Sequence, residues 1–169
     1  RVVRDKRYIY IRNYMPHKIY GQYISYMFKT PTTQVWHDLY HADKLNAAQS
    51  KFWQTKPAEE LYDLENDRDE VRNLADSREH AKILERLRKA QQALAVKIRD
   101  VGFLPEGEIH SRSGEGAPYD MGHNDKVYPM KRVMHAAEIA SMKSEPAQKE
   151  LTKLITDKDS AVRYWAAMG

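Results

Sequence analysis

Residues 56–77 read KPAEELYDLENDRDEVRNLADS, and the order of residue types in that span decides the fold class. EELYDL reads as a short strand with Leu61 and Leu64 directed inward. An acidic turn follows at once, then a short helical pattern, DEVRNLA, after which Asp76 or Ser77 is placed to cap a longer helix. That helix is the clearest periodic element of the chain. Ile83, Leu87, Ala90, Leu94 and Ile98 recur along one stripe, with Arg, Lys, Glu and Gln between them, up to a stop at Val101 and Gly102. An apolar stripe needs a surface to cover and short strands need a cover. The expected class is therefore α+β, a small antiparallel sheet packed by one long helix.

Working upstream, RVVRDKRYIYIRNY predicts two short β runs around Asp5 and Lys6, and the Tyr-rich MPHKIYGQYISYMF predicts a loop broken by Pro16 and Gly21. TTQVWHDLYHAD predicts a helix from Thr32 or Thr33 with Val35, Trp36, Leu39 and Tyr40 on one face, and a second short helix spans about Asn46 to Trp53. Downstream, residues 105–129 are rich in Gly and Pro without periodicity, which predicts a linker or long surface loop. Residues 130–169 return to helical patterns separated by short polar turns, as in helical hairpins. The expected division is thus 1–104, 105–129 and 130–169.

At 169 residues, 41% hydrophobic and 31% charged, the chain has the composition of a folded protein and the length of one domain, or of one small domain plus an appendage. No apolar run approaches the roughly 18 residues of a membrane-spanning helix. The first residue is Arg1 and the last segment is helical, so the chain reads as a piece of a longer protein. The absence of cysteine excludes disulfides, a thiolate nucleophile and Cys-based zinc sites. The net charge of +4 permits an anionic partner without requiring one.

Several constellations have residue types that could carry chemistry. As a calcium loop, the acidic turn puts Asp63, Glu65 and Asp67 at the first ligand positions, but Arg68 falls where Gly is needed and Leu74 where a bidentate Glu is needed. The turn is expected to bind no metal. His37 and His41 share a helix face, yet Asp38 stands where the zinc-protease pattern has Glu, so they read as ordinary surface histidines. No phosphate-cradling Gly loop or nucleophile elbow occurs. Arg1, Arg4, Lys6, Arg7, Arg12 and Lys18 interleave with Tyr8, Tyr10 and Tyr14. This set fits a nucleic-acid surface, a pocket for a sulfated or phosphorylated ligand, or a hairpin edge kept soluble by charge.

EELYDLENDRDEVRNLAD resembles the signature near the C-terminal end of sulfatases of the alkaline-phosphatase superfamily, where an ELYDL strand passes through a D-P-x-E turn into NLA and the terminal helix; Arg68 stands where the family usually has Pro. RVVRDKRYIYIRNYMP is similar to the family's preceding hairpin, and the resemblance spans residues 1–104. RNYMPH, YGQYISYM and RDVGFLPE resemble the bacterial branch similar to heparan N-sulfatases, and AAEIASM with DKDSAVRYWAAMG resembles HEAT-like repeats. The resemblance implies a parent enzyme that hydrolyses sulfate esters or N-sulfates of a sulfated carbohydrate. It implies a formylglycine made in a C/S-x-P-x-R motif and a calcium ion held by Asp and Asn, all upstream of this region. It also implies the catalytic domain of the same chain as partner, no nucleic acid, and a periplasmic or secreted location. This segment, with no Cys and no Ser in that motif, is expected to be inactive alone. His17, Lys18, Tyr20 and Gln22, in the loop after Asn13, are the expected substrate-binding residues at the cleft rim. The alternative is a non-catalytic module that binds nucleic acid through the hairpin or a protein through the helical tail.

Overall fold

The computed structural model describes all of residues 1–169. β1 (Val2–Arg4), β2 (Tyr8–Arg12) and β3 (Glu59–Asp63) form an antiparallel sheet in that order. Asp5 closes the first hairpin, its carboxylate accepting from the N–H of Arg7 at 2.8 Å and of Tyr8 at 2.6 Å. Between β2 and β3 lie α1 (Pro31–His41) and α2 (Ala47–Ser50). Then come α3 (Ala81–Lys97), α4 (Glu106–Ser113), α5 (Pro118–Gly122), α6 (Met130–Met142), α7 (Glu145–Leu154) and α8 (Ser160–Met168). The fold is α+β, and no helix is long and apolar enough to cross a membrane.

Register fixes the two faces of the sheet. Tyr10 pairs with Leu61, so Tyr8, Tyr10 and Leu61 share the face that meets Leu84 and Leu87 of α3. Ile9 pairs with Tyr62 and Ile11 with Glu60, and that opposite face is covered by the segment before β3.

α3 is turned relative to its expected stripe. The buried positions are Leu84, Leu87, Gln91 and Ala95, whereas Leu94 is 46% and Ile98 56% exposed. Arg88 explains the rotation: its guanidinium grips Glu59 of β3 at 2.6 and 2.7 Å, and the helix face carrying Arg88 must then lie on the sheet. The helix begins at Ala81 after a turn, because the Ser77 hydroxyl bonds the His80 ring at 2.8 Å instead of capping backbone N–H groups. It ends well before Gly102. Arg99 takes the left-handed conformation (φ 55°), Asp100 N–H bonds Ala95 C=O and Arg99 N–H bonds Val96 C=O, a Schellman closure with Arg where Gly is usual. The Arg99 side chain bonds the carbonyls of Gly122 (2.7 Å) and Tyr128 (3.2 Å), which helps hold that conformation.

Residues 105–129, expected as a linker or loop, fold as α4 and α5 and join the core through buried Met121 and Tyr128. Their anchors are polar and therefore leave no periodic trace. Arg112 forks onto Asp159 with two 3.0 Å bonds and reaches Val127 C=O at 2.8 Å, and Tyr128 Oη donates to Asp100 C=O at 2.6 Å. α6 packs against both α7 and α8, whose starts are capped by Ser144 and Asp159. Trp165 donates its indole N–H to Phe103 C=O at 2.8 Å at the bottom of this larger core.

The two cores are joined by α3, which gives Leu84 and Leu87 to one and Ala95 to the other, and by a buried guanidinium. Arg12, 4% exposed, donates to the carbonyls of Asn13 (3.2 Å), Ala58 (2.8 Å) and Glu138 (3.0 Å) and to Ser141 Oγ (2.5 Å). Arg12→Met is expected to lower unfolding free energy by at least about 3 kcal/mol, because several buried acceptors lose a charged donor together; urea denaturation measures this. Burial alone would raise the Glu59 carboxyl, but its bonds to Arg88 and Tyr10 outweigh that and hold it below its ordinary value of 4.5. Its stabilising contribution is thus present above 4.5 and fades as pH falls through the depressed value. Glu59→Gln is expected to flatten the acid limb of the stability–pH curve, measured as urea midpoints across that range.

Candidate functional site

The acidic turn is a structural device that seals the sheet edge. Asn73 Oδ1 accepts from Leu61 N–H (2.9 Å) and Ala75 N–H (3.0 Å), Asn73 Nδ2 donates to Glu59 C=O (3.1 Å), and Leu74 N–H bonds Leu61 C=O (2.8 Å). NLA therefore runs as a pseudo-strand on the outer edge of β3, and DEVRNLA forms turns rather than the expected helix. The carboxylates are occupied by protein donors. Asp63 accepts from Arg7 (2.8 and 2.5 Å) and Asn66 (2.8 Å), and the Arg7 guanidinium holds it well below the usual carboxylate range. Asp67 accepts from the N–H groups of Val71 (3.1 Å) and Arg72 (2.8 Å).

Part of the basic, Tyr-rich hairpin is committed internally, whereas Arg4, Lys6 and Lys18 are exposed. Tyr8 and Tyr10 are buried under α3, Arg1 pairs with Asp100, Arg7 with Asp63, and Arg12 is enclosed. The ring faces of Tyr8 and Tyr10, which a nucleic-acid surface would need for stacking, are turned inward, while Tyr14 is only half-buried. His37 and His41 sit with their Nε2 atoms 3.0 Å apart, and His37 packs edge-on to Trp53.

The loop after Asn13 does border a cavity. It runs beside residues 52–56, with Gly21 N–H bonded to Phe52 C=O (2.7 Å), Lys56 N–H to Pro16 C=O (3.1 Å), and an Ile19–Thr55 bridge. Gly21 is needed there, since a Cβ would collide with the Phe52 ring. This pairing carries Tyr20 into a cavity of about 260 Å³ whose walls include Trp36, Phe52, Lys51, Glu60 and Tyr62. Of the residues expected at the rim, only Tyr20 enters it; His17, Lys18 and Gln22 stand exposed on the outside of the loop.

Glu60, 2% exposed, is the polar centre. It accepts from Tyr62 Oη (2.5 Å) and Asn13 Nδ2 (2.6 Å), with Lys51 Nζ 3.9 Å away. Lys51 in turn donates to Tyr62 Oη (2.5 Å) and Glu70 C=O (3.1 Å). Burial, then the Glu60 carboxylate, pushes the Tyr62 and Tyr20 hydroxyls upward, so both remain neutral donors at neutral pH. Tyr20 Oη is buried beside the Glu60 carboxylate without a well-formed hydrogen bond to it. Trp36 and Phe52 stack beside it with ring centres 4.7 Å apart. An aromatic wall beside a carboxylate, an ammonium and phenol donors suits the recognition of a polyhydroxylated or anionic ligand. It contains no activated nucleophile. Asn13, Lys51, Glu60 and Tyr62 were not expected; the one sequence signal was the pair of charged and aromatic residues alternating with Leu61 in EELYDL.

The two phenols are expected to behave oppositely. Tyr62→Phe breaks the Lys51–Tyr62–Glu60 link and should cost about 1–3 kcal/mol, whereas Tyr20→Phe removes a buried hydroxyl without a well-formed bond and should be neutral or stabilising. Urea unfolding of the two variants checks both signs.

No family model matches the chain, and no solved structure matches it. The chain is similar to an ulvan-active sulfatase of Formosa agariphila, 39% identical over 118 residues, which is 69% of this chain and 20% of that protein. It spans about a fifth of the length of this curated relative. Over 69% of its length the chain is thus similar to one region of a sulfatase.

Proposed function

We propose that this chain is the C-terminal region of a sulfatase that hydrolyses sulfate groups of a sulfated carbohydrate, with residues 1–104 packing on an upstream catalytic domain and residues 130–169 beginning a HEAT-like helical extension. The observation that carries the reading is the 39% identity over 118 residues to the ulvan-active sulfatase. Two structural features support it. The apolar face of α1 is left partly open, with Val35 and Leu39 exposed, and Tyr23 and Tyr26 of the preceding loop are more exposed still, as surfaces made to be covered by another domain. The Tyr20 cavity adds a sugar-compatible set of aromatic and polar groups.

The residues of this chain do not fit a formylglycine or a calcium ion. It has no Cys, and Asp63 and Asp67 are taken up by protein donors. On this reading the nucleophile and metal belong to the upstream domain, and this region binds and orients. Tyr20 supplies its hydroxyl, Trp36 a stacking face, and His17, Lys18 and Gln22 reach outward as donors to a longer substrate. A periplasmic or secreted location fits an enzyme acting on a polysaccharide.

The test is sulfate release by the chain extended to its natural upstream sequence, assayed on ulvan and on sulfated glycosaminoglycan fragments. Tyr20→Phe, which keeps the fold, is expected to raise KM by about threefold to tenfold with little change in kcat, the loss of one hydrogen bond to the substrate. His17→Ala should give a smaller rise. Unchanged KM in both variants would reduce this region to a buttress, and no release from any sulfated carbohydrate would remove the sulfatase reading.

A further inference from the structure

A second cavity, of about 290 Å³, opens where the end of β2 meets the Val101–Phe103 turn and α8. Its walls carry Arg1, Arg12 and Lys56 as cations and Tyr14, Phe103 and Tyr164 as aromatic faces, with no carboxylate among the lining residues. The fate of each cation can be followed. Arg1 pairs with Asp100 through Nε and one terminal nitrogen, which leaves its other terminal nitrogen free and lays the guanidinium over the Phe103 ring, 5.1 Å from its centre. Arg12 spends its terminal nitrogens on protein acceptors, so it contributes charge rather than contact. No carboxylate neutralises it within ion-pair distance, and its guanidinium lies 4.9 Å from the centre of the Tyr14 ring. Lys56 makes no ion pair, and its ammonium meets only the Tyr20 ring, at 5.8 Å. The cavity therefore holds two positive charges without carboxylate partners, Arg12 and Lys56, beside a third, Arg1, with donors to spare.

The aromatic side is equally built. Tyr14 stands edge-on to Phe103 at 4.8 Å, with buried Trp165 behind it at 6.4 Å, and the half-buried Tyr164 lines the opening. Gly102 has no Cβ at the point where the Arg1 guanidinium lies, and a side chain there would displace it. Unpaired cations alone would suit any anion, and aromatic walls alone would suit any apolar body. Together, in a volume near the lower end for ligand pockets, they select a small ring that carries an anionic group.

We infer that this cavity is a binding site for one acidic sugar residue, bearing sulfate or carboxylate, with Lys56 and Arg1 on the anionic group and Tyr164 against the ring. The carbohydrate assignment rests on the sulfatase reading; the anion-plus-ring geometry does not. The site is separate from the Tyr20 cavity, and the two are distinguishable by their tryptophans: Trp36 lines the Tyr20 cavity and Trp165 lines this one.

The experiment is an NMR titration of the isotopically labelled chain, following the indole N–H signals, assigned by Trp→Phe variants. The probes are glucose 6-sulfate, glucuronate, glucose and inorganic sulfate. The two acidic sugars are expected to shift the Trp165 signal saturably with Kd on the order of 1 mM, and glucose and sulfate to bind at least about tenfold more weakly. Lys56→Ala should weaken the acidic sugars about tenfold, Gly102→Ala should weaken them by displacing Arg1, and Lys82→Ala, on the exposed side of α3, should not. Circular dichroism of each variant confirms that the fold is kept. No Trp165 shift by about 10 mM, or full affinity in Lys56→Ala, overturns the site. Equal affinity for inorganic sulfate overturns the sugar and leaves a bare anion site. A shift confined to Trp36 assigns the ligand to the Tyr20 cavity instead. None of these outcomes depends on sulfate release, so failure here and failure of the enzyme reading are separate results.

Discussion

The buried guanidinium of Arg12 is the constraint on which the arrangement depends. The sheet and α3 enclose a core of only five buried residues, too little to stand alone, whereas the helical part encloses sixteen. Arg12 leaves the end of β2 and binds the carbonyl ahead of β3 on one side and the carbonyl of Glu138 near the end of α6 on the other. The C-terminal end of a helix carries partial negative charge, which offsets part of the cost of burying the cation. Together with α3, whose Leu84 and Leu87 meet the sheet while Ala95 joins the larger core and Gln92 bonds Glu138, these bonds set the orientation of the sheet relative to α6. That orientation also sets Tyr14 against Phe103 and so creates the wall of the second cavity.

The acidic turn solves a different problem. An antiparallel sheet of this size has two exposed edges, each a template for unwanted pairing. The Asn73 amide and the Leu74 backbone cover the outer edge of β3, and the carboxylates of Asp63 and Asp67 hold the intervening loop in the shape that delivers them. The compactness of ELYDL–turn–NLA has a physical cause in this pairing. Arg68, where the related signature carries Pro, leaves the Asp67 bonds to Val71 and Arg72 intact, so the turn keeps its form without the ring.

What was legible in the sequence is what rests on local chemistry. The Asp5 hairpin, the capped starts of α7 and α8, and the helical character of α3 and α6 all follow from neighbouring residues. What depends on distant partners was not legible. The rotation of α3 is set by Arg88 reaching Glu59, twenty-nine positions away, and an apolar stripe that includes Leu94 and Ile98 gives no sign of it. Residues 105–129 are held by Arg112 on Asp159 and Tyr128 on Asp100, polar anchors that periodicity cannot register. Ser77 has the chemistry of a cap but spends its hydroxyl on His80.

The same division runs through the candidate site. The resemblance points to the loop after Asn13 as a whole, and the close approach of Gly21 to Phe52 brings Tyr20 of that loop to the cavity wall. His17, Lys18 and Gln22 were grouped with Tyr20 by proximity in sequence, yet the bridge between Ile19 and Thr55 directs Tyr20 inward and leaves those three outside. Glu60 could not be read as a site residue, because a sheet covered on both faces erases the alternation that separates inside from outside. A charged residue at an inward strand position conflicts with burial unless partners are brought to it, and here Tyr62 comes from the same strand, Asn13 from the end of β2 and the Lys51 ammonium from the segment before β3. Burying that carboxylate costs free energy that its hydrogen bonds from Tyr62 and Asn13 and the nearby Lys51 ammonium offset, so a polar group can sit at the centre of a covered sheet face without any periodic trace in the sequence.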